Sequence, residues 1–325
     1  MNAKREIGGY LELERFSGEP YHADAIALNC GRACLEYLIE LRAINAIGLP
    51  DWMCSTVYET CTRCDTKVLS YRIGADMRPV YDFEIGDGEW LYLMDYYGQL
   101  TAEDIDDALT RTNRLIVDEA QGFFRRPWRD ADTLYTCRKF FGVADGGYLY
   151  TSDGMRLERR LEADESHDHM GYLLGRFERP ASEYFADSKK NNARFANAPA
   201  HAMSPITENL MRAVDYENAK ARREENYAFV RDELRDFNHL QLELPEGPFM
   251  YPLLIDDADG IRSKLADEGI FIPVLWPNVL DEQPEASVAY RYTKDLLPLP
   301  VDQRYGAEDM LFMVEKLREH ISHTS

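Results

Sequence analysis

The sequence predicts an α/β protein in which a large domain with a mostly parallel sheet is followed by a small α+β C-terminal domain. Three observations carry that expectation. Short apolar runs at residues 24–30, 114–117 and 148–152, bounded by glycine or aspartate, alternate with helical spacings, as in a sheet covered on both faces by helices. Beyond residue 206 the pattern becomes one long charged helix and then strand, helix, strand, helix. The length of 325 residues exceeds one average domain, and an apolar content of 45% suffices for a sizeable core. We therefore divide the chain at residues 1–205 and 206–325.

The run DAIALNC at 24–30 stops at Gly31, and Leu35, Leu38, Ile39, Ala43 and Ala46 then recur at helical spacing, giving strand, glycine turn and helix. RLIV at 114–117 is a strand ahead of Asp118, and YLYTS at 148–152 is another behind Gly146 and Gly147. Residues 206–236 read as helical, with Ile206, Leu210 and Val214 on one side and ARREEN facing water, the kind of helix that bridges domains. The remainder predicts a strand at 249–255, a helix at 261–268, a strand at 270–275, and a terminal helix on which Met310, Val314, Leu317 and Ile321 share a face.

Charge narrows the partners. With 37 Lys and Arg against 58 Asp and Glu the net charge is −21, which repels phosphate backbones and anionic membranes. The small basic cluster of Arg125, Arg126 and Arg129 reads as a local anion contact or a solvated loop. We expect small-molecule partners, no nucleic acid and no membrane. Six cysteines, without a signal peptide or a membrane-length apolar run, point to reduced thiols and a cytoplasmic location. Cys61 and Cys64 form a CxxC without a second pair of ligands, and His167, Asp168 and His169 lack ligand-spaced partners, so no metal site is expected.

Three features could carry chemistry. Each has an ordinary alternative: Asp118 as a helix cap, Lys139 as a solvated cation, Gly31 with Arg32 as a plain turn. Together they fall at or just after the carboxyl ends of expected strands, where open α/β sheets bind ligands. A glycine turn opening a helix offers N–H groups to a phosphate. A carboxylate can hold a pyridine nitrogen protonated, and a lysine of depressed pKa can form an imine. Phosphate, pyridinium and aldehyde are the three handles of pyridoxal 5'-phosphate (PLP).

The motifs VDEAQG, with Asp118 and Gln121, and KFFGVADGG, with Lys139, Asp145, Gly146 and Gly147, resemble those of the DegT/DnrJ/StrS sugar aminotransferases of the fold-type I PLP enzymes. Weaker likenesses cover NCGRACLEYL as the phosphate-turn helix, LPDWMCSTV as the next strand and LLPLPVDQRYGAEDM before the last helix. The resemblance implies that Lys139 carries PLP as a Schiff base and shuttles protons, that Asp118 pairs with the ring nitrogen, and that Gln121 contacts the ring hydroxyl. It also implies that Gly31 and Arg32 receive the phosphate, and that the protein is a homodimer.

Two departures from the pattern stand out. The usual phosphate-binding serine is Leu134, for which Thr136 or Thr133 substitutes; the usual stacking aromatic is Cys54, with Trp52 nearby. On this resemblance the function is amino transfer from a donor such as glutamate to a keto-sugar, possibly nucleotide-linked, for amino-sugar and polysaccharide biosynthesis. The alternatives are a PLP-dependent sugar dehydratase, in which histidine would replace Lys139, and a cofactor-binding regulatory homologue without turnover.

Overall fold

A computed structural model describes residues 7–322. Strands β1 (Ile26–Leu28), β2 (Ala46–Pro50), β3 (Lys67–Tyr71), β4 (Trp90–Met94), β5 (Leu115–Asp118), β6 (Asp132–Thr136) and β7 (Gly147–Tyr150) form a seven-stranded sheet in the order 1-7-6-5-4-2-3. Strands β2 to β6 are mutually parallel and only β7 opposes its neighbours. The expected mostly parallel sheet is therefore present. Helices α1 (Gly31–Arg42), α2 (Ser55–Arg63), α3 (Ala102–Arg111), α4 (Gly171–Glu178), α5 (Phe185–Ala193), α6 (Pro205–Met211) and α7 (Tyr216–Leu234) accompany it. A second, antiparallel pair, β8 (Met250–Leu254) and β9 (Leu296–Pro300), carries α8 (Ala258–Asp267), α9 (Val279–Glu282), α10 (Val288–Asp295) and α11 (Ala307–Ser322).

Two cores result. One surrounds the large sheet; the other joins Leu253, Leu297 and Leu299 of the small sheet to Ile261 and Leu265 of α8 and to Met310, Val314 and Leu317 of α11. Helix α7 spans both, with Ala219 in the first and Tyr227, Val230 and Leu234 in the second. Thus residues just after 206 still pack on the large sheet, and the second core begins further along the chain.

Several elements differ from the sequence reading. Helix α1 stops at Arg42 because Ala43 turns left-handed (φ 49°), so Ala46 opens β2 instead of extending the helix. The helical stretch after 206 is broken between Met211 and Tyr216, where Asp215 caps α7 by accepting from the Asn218 N–H. Within ARREEN, Arg223 and Asn226 are buried, because backbone carbonyls at Phe140, Pro248 and Phe249 receive the first and those at Val301, Asp302 and Tyr305 the second. Residues 270–275 form no strand: β8 pairs with β9, Phe271 is exposed, and Pro273 has no N–H for a ladder. LPDWMCSTV spans the end of β2, a turn and the start of α2, with no strand beyond Pro50.

The large core also encloses a titratable group. His22 is buried among Phe123, Tyr135 and Tyr148, donates Nε2–H to the Phe123 carbonyl at 2.8 Å, and lies 3.3 Å through Nδ1 from the Tyr150 hydroxyl. Burial pushes its pKa down to about 4. The unfolded chain protonates this ring near pH 6.5, so the stability it confers is complete above that pH and is lost as pH falls towards 4. Urea unfolding at pH 7 and 4.5 should show a His22 share of the acid loss of about 2–3 kcal/mol. The variant His22→Gln should lack that share, and an equally steep acid loss in the variant would assign the effect elsewhere.

Candidate active site

The carboxyl ends of β1, β2, β4, β5 and β6 lie along one edge of the sheet, and a cavity of about 250 Å³ opens there against the N-terminus of α1. Side-chain alternation fills its floor. Tyr92 and Met94 of β4, Asp118 at the end of β5, and Leu134 and Thr136 of β6 all line it. Gly31, Arg32 and Cys30 reach it from α1, Met53 and Cys54 from the turn before α2, and Trp276 from the loop before α9. Lys139 enters from the turn after β6, beside Arg138.

Asp118 is buried and fixed from both sides. Its Oδ2 accepts the Tyr92 hydroxyl at 2.6 Å, and its Oδ1 accepts the Ala120 N–H at 2.8 Å, a side-chain turn rather than a helix cap, since no helix begins there. Burial raises its pKa, opposed by the charge of Lys139. Lys139 is exposed to the cavity space yet enclosed by protein mass, and that enclosure lowers its pKa, opposed by Asp118 and then Cys54. Among the described residues its ammonium makes no ion pair or hydrogen bond; its Nζ stands 5.5 Å from the Phe249 ring centroid. Burial that disfavours its charged form, beside a buried carboxylate in one cavity, is the arrangement a nucleophilic lysine needs.

The turn carrying Lys139 is anchored by the rest of its motif. Asp145 is buried and accepts from the hydroxyls of Ser166, Ser204 and Thr207 and from the Ser204 N–H. Gly146 has φ 118°, reserved in practice for glycine. At Gly147 a Cβ would stand 2.8 Å from the Cys30 carbonyl carbon, so only glycine lets β7 approach the cap of α1. On the other side, Arg223 and Gln303 both donate to the Phe140 carbonyl, tying the turn to the C-terminal part of the chain.

Of the residues named from sequence, Lys139, Asp118, Gly31, Arg32, Cys54 and Thr136 line this one cavity. Gln121 lies outside the lining: its Oε1 accepts the Tyr97 N–H at 2.8 Å and its buried Nε2 has no partner. Thr133 is spent on Trp128 and Ala131, and Trp52 is wholly buried, stacked on Tyr96 and bonded to Thr293. Arg125 donates to the carbonyls of Gly98 and Leu100, so it is structural. Cys61 is buried and Cys64 half-buried on and after α2, and no metal-holding group of three His, Cys, Asp or Glu occurs among the described residues. Sequence reasoning missed Tyr92, Arg138, Asn192 and Trp276.

Solved structures decide the fold. CalS13 from Micromonospora echinospora, a sugar aminotransferase, superposes with a TM-score of 0.64 at 15% identity, over 91% of this chain and 87% of that one. The chain has the sugar aminotransferase fold. A DegT DnrJ EryC1 StrS aminotransferase from Brucella abortus matches at 0.59 and 13% identity, over 91% and 85% of the two chains. Spr1654 from Streptococcus pneumoniae, in its PLP form, matches at 0.61 and 13% identity, over 90% and 86%. No protein-family model and no curated protein matches the chain. Both the α/β fold read from the sequence and the group its motifs resemble agree with these structures.

Proposed function

We propose that the chain is a PLP-dependent aminotransferase that moves an amino group from an amino acid such as glutamate to a keto-sugar. The observation that carries this reading is the convergence on one cavity at the strand ends of Lys139, which has no ion pair or hydrogen bond among the described residues, a buried carboxylate and two guanidiniums. The residues fit the cofactor in one further respect. A Cβ at Gly31 would meet only Leu134 and Thr136, each at 4.0 Å, so the missing side chain leaves cavity space beside the helix N-terminus.

Bound PLP supplies an electron sink for negative charge developing at the substrate carbon. The chain does the rest. Lys139, held towards its neutral form by burial, would hold the cofactor through its Nζ and would move the proton at the substrate carbon. Asp118, oriented by Tyr92 and the Ala120 N–H, would hold a proton on the ring nitrogen. Met53, Cys54 and Trp276 line the cavity and would shield a bound ring from water. The six unpaired cysteines support a reducing, cytoplasmic setting, and the resemblance supports a homodimer. No described helix is long and apolar enough to cross a membrane.

The test is chemical. Protein loaded with PLP should be yellow, borohydride should fix the cofactor to a peptide containing Lys139, and an amino donor should bleach the colour until a keto-sugar restores it. Labelling of another lysine sinks the site; colour that no donor bleaches sinks the transfer reaction.

A further inference from the structure

The end of the cavity nearest α1 holds a charge that the protein leaves unbalanced. Arg32 Nη2 donates to the backbone and side-chain oxygens of Asn192 at 3.1 and 3.2 Å, and Arg138 Nη2 donates to the same side-chain oxygen at 2.6 Å. Both guanidiniums lie over the Phe195 ring, at 5.6 and 4.7 Å from its centroid. Arg194 shares that ring at 4.0 Å but is neutralised by Asp164, at 2.8 and 2.9 Å. Arg32 and Arg138 make no ion pair among the described residues, in a chain with 58 acidic side chains.

One amide oxygen shared by two cations supplies a dipole where two negative charges are wanted. Desolvation, with Arg32 pushing the same way, lowers the Arg138 pKa, the sign of a cation held short of a counter-ion. The floor of this end is Leu134 and Thr136, so a single hydroxyl faces it from β6. An arriving anion would therefore be bound chiefly by charge and guanidinium geometry rather than by hydroxyls. A phosphate monoester suits it: it carries about −1.5 to −2 charges at neutral pH and accepts paired guanidinium bonds.

We propose that Arg138 and Arg32, held apart by Asn192, form a two-guanidinium clamp for the phosphate of the cofactor, with Arg138 the principal ligand. This rests on the PLP reading above. Asn192 bonds both guanidiniums through its Oδ1 and spaces the two like charges, and the phosphate would take that oxygen's place.

Binding of inorganic phosphate, PLP and pyridoxal, which lacks the phosphate, tests the clamp by calorimetry on the full chain. Arg138→Gln should weaken inorganic phosphate and PLP by about 10-fold or more, as loss of a charged hydrogen bond does, and leave pyridoxal within about 2-fold. Arg138→Lys, which keeps the charge and loses the fork, should fall between the two and guards against a folding defect. Equal weakening of PLP and pyridoxal, or phosphate binding unchanged in Arg138→Gln, overturns the clamp. Arg138-dependent phosphate binding in a protein that never attaches PLP to Lys139 upholds the clamp and removes the cofactor reading.

Discussion

Lys139→Ala should give a folded protein that takes up PLP without covalent attachment and exchanges no amino group. The fold survives because this side chain faces cavity space and makes no ion pair or hydrogen bond among the described residues, so its loss opens no core cavity. The chemistry does not survive, because the same amine is both the attachment point and the mover of the proton. Loss of proton transfer alone costs on the order of 10²–10⁴-fold in rate, roughly 2.7–5.5 kcal/mol of barrier. The measurement is single-turnover absorbance with an amino donor, alongside thermal unfolding. A variant that still bleaches at the parent rate removes Lys139 from the mechanism. The sign of its pKa shift adds a second readout in the parent protein: attachment of added PLP requires the neutral amine, so its rate should rise with pH to a midpoint below the ordinary lysine value of 10.5.

What the sequence disclosed and what it hid follow from the range of the forces involved. Asp118 was legible because the apolar run at 114–117 marks a strand whose end lies at the ligand edge, and Lys139 because of the KFFGVADGG motif that it opens. Tyr92 and Arg138 had a local signal that went unused: Tyr92 shares a face with Met94 on β4, and Arg138 continues the alternation of Leu134 and Thr136 beyond the end of β6. Asn192 and Trp276 had none, since contacts such as Arg32 to Asn192 span 160 residues. Arg223 looked solvated because charge runs usually are; it is buried by carbonyls that only the tertiary fold brings to it. The run at 270–275 looked like a strand because apolar spacing cannot show whether a partner edge exists.

Asp118→Asn separates the roles of this carboxylate most sharply. The substituted side chain keeps an oxygen for the Ala120 N–H, and its amide can donate to the Tyr92 hydroxyl, so both contacts, at 2.8 and 2.6 Å in the parent, have replacements. Stability should therefore change by only about 1 kcal/mol. The buried site also loses a charge that desolvation opposes and Lys139 supports, which leaves Lys139 without its main electrostatic stabiliser and lowers its pKa further. Attachment of PLP to Lys139 should consequently persist. What the amide cannot do is hold a proton on the ring nitrogen, so negative charge at the substrate carbon loses its sink. The half-reaction with an amino donor should slow by about 100-fold or more, equivalent to ~2.7 kcal/mol of barrier. Stopped-flow absorbance at saturating donor measures it. Parent-like rates in a variant that holds PLP on Lys139 would make Asp118 a structural residue and place the ring in another orientation.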